Sequence, residues 1–195
     1  MRDMTRALLV TALLVGSSAV ATAGPYGGFA VGPSPTISND GPASAFNAGV
    51  VEFQGNGRAG RILGGYRFGA LGLGAISVEG AVTAYGLTDQ NHTADYGGRQ
   101  VMISGKYNYP LSSGFEVFGR LGLHHTWING QVENEQTREG NGVLIGAGFE
   151  FRFKLPMASA SLWVDYTYNP VSMQDVTYTR DYAARMWMLG FTFGI

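Results

Sequence analysis

Nine charged side chains recur along this 195-residue chain in segments of alternating character: Arg61, Arg67, Glu79, Lys106, Glu116, Arg120, Glu150, Arg152 and Asp165. Carboxylates beside cations are the material of general acid–base chemistry. Glu79, Glu150 and Asp165 against Lys106, Arg120 and Arg152 form the first candidate site. His124-His125-Thr126 forms the second. Other chemistries lack their residues. The chain has no cysteine, which removes thiolate nucleophiles, thiolate zinc sites and disulfide scaffolds together. His124 and His125 are adjacent, so on a strand they point to opposite faces and cannot share a metal, while His92 stands in a distant polar segment. There is no phosphate-cradling glycine loop, and a net charge of −1 leaves no electrostatic footprint for nucleic acid. The sequence therefore predicts no cofactor, no metal and no nucleic-acid partner.

Composition limits the elements that can position these groups. Glycine supplies 30 residues, charged residues only 14% and aromatics 12%. So much glycine opposes long helices, each position costing about 1 kcal/mol relative to alanine. So little charge opposes disorder. The first 23 residues read as a secretory signal peptide. Arg2 and Arg6 precede an apolar run from Ala7 to Gly16, and Ala21-Thr22-Ala23 is a small-x-small cleavage site. The run is about half the ~20 residues of a spanning helix. A mature domain over residues 24–195 is expected.

That domain reads as alternating strands. In Ala158–Tyr168 the even positions are Ala, Ala, Leu, Val, Tyr and Tyr, and the odd ones Ser, Ser, Trp, Asp and Thr; period two means one apolar and one mostly polar face. Eight such segments are placed at 26–33, 58–69, 74–86, 99–110, 115–132, 140–153, 158–171 and 180–195. Short turns at 70–73, 111–114 and 154–157 alternate with longer or polar connections at 34–57, 87–98, 133–139 and 172–179. The candidate charges lie opposite Ile62, Tyr66, Phe68, Val78, Tyr107, Tyr109, Val117, Leu121, Phe149, Phe151, Phe153, Val164, Trp187, Leu189, Phe191 and Phe193. A soluble barrel would enclose its apolar face. A charged inside and an apolar outside demand lipid outside. The expected fold is all-β, an eight-stranded antiparallel transmembrane β-barrel, with the mature start and short turns facing the periplasm and four loops facing outward.

Several stretches carry a family resemblance. Gly65-Tyr66-Arg67-Phe68 leads through a short turn to Val78-Glu79-Gly80. Gly105-Lys106-Tyr107-Asn108-Tyr109-Pro110-Leu111 is followed by Val117-Phe118-Gly119-Arg120-Leu121-Gly122, then by Gly146-Ala147-Gly148-Phe149-Glu150 and Leu162-Trp163-Val164-Asp165-Tyr166. Together they resemble the small outer-membrane barrels built like the transmembrane domain of outer membrane protein A. The resemblance covers essentially the mature chain and implies a place in the bacterial outer membrane. It also implies contact with its lipid and lipopolysaccharide, and assembly by machinery that reads the alternating aromatic end, here Phe191 and Phe193. Two positions depart from the pattern. Trp163 stands where that family carries an inward arginine, and Ile195 stands where it usually ends in phenylalanine.

An eight-stranded barrel is just wide enough to be filled by its own side chains, and buried charges persist only when paired. Glu79, Lys106, Arg120, Glu150, Arg152 and Asp165 are therefore expected to form an interior salt-bridge network, with no catalytic residue. The expected function is structural or surface-interacting, with ligand or host contact through the polar segments 34–57 and 130–142. The alternatives are a narrow low-conductance porin and a lipid A deacylase. A resemblance to outer-membrane lipid A deacylases, which carry a His-x-Ser pair with a nearby carboxylate, would rest on His124-His125-Thr126, with threonine in place of serine and Glu133 or Glu135 to orient the histidine, but alternation points His124 and Thr126 inward.

Overall fold

A computed structural model describes residues 23–39, 50–71, 74–89, 95–130, 137–174 and 179–195. Residues 1–22 of the signal-peptide segment, His92, Glu133 and Glu135 lie outside the described residues. All regular elements among the described residues are strands: β1 (Gly24–Pro33), β2 (Thr36–Asn39), β3 (Val50–Leu71), β4 (Gly74–Asp89), β5 (Asp95–Ser112), β6 (Phe115–Gly130), β7 (Arg138–Leu155), β8 (Ala158–Gln174) and β9 (Thr179–Gly194). Every neighbouring pair is antiparallel, from β3–β4 round to β8–β9. The ring closes where β1 lies between β3 and β9, with Phe29 opposite Ile62 on one side and Phe191 on the other. β2 also lies between β3 and β9, so β1 and β2 occupy one place in a wall of eight.

The break between them corrects one expectation. The segment 34–57 is not all connection, because Thr36–Asn39 and the first residues of β3 from Val50 onward are wall. Pro35 has no N–H for the ladder. The Ser34 amide reaches the Gly57 carbonyl at 3.4 Å, and its hydroxyl donates to the Asn56 carbonyl at 3.0 Å and accepts from the Gly86 amide at 3.2 Å. Opposite it, β3 shifts register between Asn56 and Gly60 around Gly57, whose φ of +78° suits glycine. The other long connections also shorten, since residues 87–89, 95–98, 138–139 and 172–174 belong to strands.

Alternation decides which side of the wall each residue takes. Ile62 is 74% exposed and Leu121 65%, whereas Arg61 is 1% and Arg120 3%. At about 3.3 Å per residue the 22 residues of β3 run roughly 70 Å, about twice the 9–11 residues needed to cross a bilayer. The polarity pattern records where the surplus begins. On β6 the outward residues are Val117, Leu121 and Leu123, then Trp127 and Asn129; the inward ones are Glu116 and Arg120, then Ile128. On β7 outward Phe153, Phe151, Phe149, Ile145 and Val143 give way to Asn141 and Glu139. The period stays at two while the polarity inverts, as it must when a strand passes from hydrocarbon into water.

Glycine on the inner face makes room for large side chains. Tyr85 of β4 lies across Gly98 of β5, and a Cβ there would overlap the tyrosine ring. Gly98→Val is expected to cost about 1–3 kcal/mol by overpacking, and Tyr85→Ala in the same chain should recover part of it. Urea unfolding of the two single variants and the double variant checks this; equal costs with and without Tyr85 would show that the clash is not the cause.

Candidate functional site

The inward charges meet in one chain of ion pairs. Asp165 lies 3.5 Å from Arg61 and 3.4 Å from Arg120. Arg120 reaches Glu79 at 2.9 Å, and Glu79 lies 3.6 Å from Lys106. Lys106 contacts Glu150 at 2.6 Å, Glu150 contacts Arg152 at 2.7 Å, and Arg152 lies 3.6 Å from Glu116, which holds Arg67 at 3.0 Å. Arg61, Arg67, Lys106, Arg120 and Arg152 thus face Glu79, Glu116, Glu150 and Asp165, with one positive charge in excess. The chain begins near the short turns, at Arg67, Glu116 and Arg152, and ends at mid-depth.

Its two ends differ in bonding. Near the short turns the contacts are directed: Asn108 donates to both Glu116 and Glu150, at 2.8 and 2.9 Å, and the Tyr26 hydroxyl donates to Glu79 at 2.6 Å. At mid-depth neither Asp165 oxygen has a hydrogen-bond donor, and the N–H bonds of Arg120 do not line up with Glu79 or Asp165. The centre is held by Coulomb attraction and by rings: Arg120 lies 5.6 Å from the Phe118 ring centre and 5.8 Å from that of Trp163, and Lys106 stands 4.2 Å over Phe118. Arg61 donates to the Thr83 hydroxyl at 3.0 Å.

Beyond the ionic half the lining turns neutral, with Thr83, Gln100, Thr126 and Asn169, and then apolar. Ile37, Phe53, Leu87, Ile128, Met173 and Tyr182 are all buried in the end opposite the short turns. Phe53 meets the Tyr96 ring at 5.1 Å and the Tyr182 ring at 6.5 Å, and Arg138 lies 5.6 Å over Phe53. This apolar plug is not among the sequence expectations. Its signal was the polarity inversion at the strand ends, which turns the inward positions apolar. At the other end a cavity of about 490 Å³ opens between the short turns, beside Arg67, Lys106, Glu150, Arg152 and Lys154.

The second candidate set does not assemble as a surface triad. His124 is 4% exposed, its Nδ1 3.0 Å from the Thr126 hydroxyl and its Nε2 3.2 Å from the Pro170 carbonyl. Both side chains face the interior, away from any lipid. His125 faces outward, its Nδ1 2.7 Å from Asn141 Oδ1 and its ring 4.2 Å from Trp127. Among the described residues no three potential ligands converge on a metal site. What remains open to chemistry is the outer wall above the inversion, with Arg58, Asp95, Arg99, Asn129, Glu139 and Asn141 exposed or half-buried.

The family model described as the outer membrane protein beta-barrel domain matches residues 6–193. Among solved structures, the chain is similar to Ail, the attachment invasion locus protein of Yersinia pestis. The TM-score is 0.57 at 16% identity, over 89% of this chain and 100% of that one. The same protein solved with the heparin analogue sucrose octasulfate matches with a TM-score of 0.50 at 15% identity, over 88% and 99% of the two chains. Neisserial surface protein A, NspA, matches with a TM-score of 0.54 at 13% identity, over 88% and 98%. No curated protein matches the chain by sequence.

Proposed function

Because this chain belongs to the outer membrane protein beta-barrel domain family, and so resides in the bacterial outer membrane, we propose that it acts at the cell surface as a solid barrel. In this reading it presents an extracellular rim to ligands or host molecules and passes no solute. One observation carries the proposal: above the cavity at the short turns the interior is closed, by ion pairs in the periplasmic half and by the plug of Ile37, Phe53, Leu87, Ile128, Met173 and Tyr182 in the extracellular half. A lumen closed by apolar side chains offers an ion no replacement for its water. The inner charges then keep the wall in register, and the strand extensions raise the loops above the headgroups. The attachment invasion locus protein, which shares the fold, has been solved with a sulfated polyanion. That supports asking for an extracellular ligand here. The inward placement of His124 and Thr126 supports a non-enzymatic reading.

Two measurements test it. Purified protein in a planar bilayer should show no steady conductance, and nanosiemens steps from the monomer would overturn the solid-barrel reading. Replacing residues 40–49 and 131–136 by glycine-serine linkers of equal length should abolish adherence of expressing cells to immobilised heparin. Undiminished adherence by a correctly folded variant would move recognition off the loops.

A further inference from the structure

The outer wall carries a groove where its outward residues change from apolar to polar. The groove holds about 430 Å³, is floored by the outward Ala84 and Gly97 together with the inward-facing Tyr85 and Gly98 beside them in the wall, and is walled by Arg58, Arg99 and Asn129. Register explains its shape. Ala84 of β4 pairs with Arg99 of β5 and with Gly60 of β3, so Arg58 and Arg99 stand on the strands either side of β4. With strands about 4.8 Å apart, their backbones are roughly 10 Å apart. Small residues between two long cations leave a trough that neither guanidinium fills.

Three further observations point to an occupant. Both arginines are exposed, and neither is paired with a carboxylate among the described residues. Asp95, the outward carboxylate further along β5, is already engaged by Asn56 at 3.0 Å and Thr88 at 2.9 Å. Directly below, Ile62, Val82 and Val101 are exposed apolar residues, and Trp127 is the register partner of Arg99. A molecule seated here meets hydrocarbon-facing side chains at its lower end and two cations at its upper end. A soluble anion has no use for the apolar wall, and an uncharged lipid has none for the cations.

We propose that this groove binds the phosphorylated headgroup of an outer-leaflet lipid, with Arg58 and Arg99 clasping phosphate and the acyl chains lying along Ile62, Val82 and Val101. Guanidinium forks suit phosphate oxygens, which accept paired N–H donors, and basic sites at headgroup depth recruit anionic lipid. The site is independent of whatever the loops contact.

The test uses the full barrel in dodecyl maltoside micelles, with lipid A as probe and native mass spectrometry counting bound lipid. Arg58→Gln and Arg99→Gln should each weaken binding about tenfold, and the double variant more, as expected for losing one charge-assisted contact each. Arg58→Lys should lose less than Arg58→Gln, because charge survives without the fork. Both side chains face out of the wall, so the folded band on unboiled gels should be unchanged. Chemically dephosphorylated lipid A should bind the unaltered protein no better than lipid A binds the double variant. Equal binding by the double variant, or by the dephosphorylated lipid, would overturn the proposal. Displacement of lipid A by millimolar inorganic phosphate would overturn the commitment to a lipid and leave a soluble-anion site.

Discussion

Asp165→Ala is expected to lower the unfolding free energy of the barrel by about 3–5 kcal/mol, the cost of breaking a buried charge pair from one side. Asp165 is fully buried and stands between Arg61 at 3.5 Å and Arg120 at 3.4 Å. Without it, five interior cations face three carboxylates, and the two nearest are left without their shared counter-charge. The loss is electrostatic rather than one of bonding, because neither Asp165 oxygen accepts a directed hydrogen bond. Removing both partners should therefore be milder than removing one. Asp165→Leu with Arg120→Met strands one cation instead of two: Arg61 loses its carboxylate and keeps only its Thr83 contact, while Glu79 keeps Lys106 at 3.6 Å. Urea unfolding in lipid vesicles, followed by tryptophan fluorescence, checks both. A single-variant cost under about 1 kcal/mol, or a double variant as costly as the two single losses added, would remove the pairing from the stability of the barrel.

Trp163→Ala is expected to cost a similar amount, about 3–5 kcal/mol, by a different route. Trp163 is 2% exposed, lies against Gly190 of β9 so closely that a Cβ there would overlap its ring, and faces the Arg120 guanidinium. Truncation leaves a cavity beside a charge already poor in hydrogen bonds. Trp163→Arg should be no better tolerated, although the resemblance to outer membrane protein A puts an inward arginine at this place. Here the cations already exceed the carboxylates by one, and the glycine opposite is shaped for an indole. Thermal unfolding of both variants decides between packing and charge. If Trp163→Arg were as stable as the unaltered protein, the interior would be short of positive charge rather than filled by the ring.

The sequence by itself determined the architecture. Period-two alternation set which residues line the inside, and the charged parity set placed lipid outside. The turn residues separated eight wall positions, so alternation alone assigns Arg61, Glu79, Lys106, Arg120, Glu150 and Asp165 inward. Those are local properties: a strand's faces follow from its own spacing. Which charges touch was not local. Arg120 reaches both Glu79 and Asp165 because the register of β4 through β8 brings three distant strands to one depth, and no single segment encodes that stagger. The strand ends were lost for a related reason. Residues 36–39 and 50–56 look like a polar connection because above the bilayer the outward face is polar too. Only pairing with β9 and β4, and the repair of the Pro35 break by Ser34 against Asn56 and Gly86, makes them wall. The apolar plug and the arginine-walled groove belong to the same class. Ile37, Phe53, Leu87, Ile128, Met173 and Tyr182 come from six strands, and Arg58 and Arg99 from two strands either side of a third. Closure of the barrel brings them together, because side-chain contact across a wall depends on register, which a one-dimensional pattern does not carry.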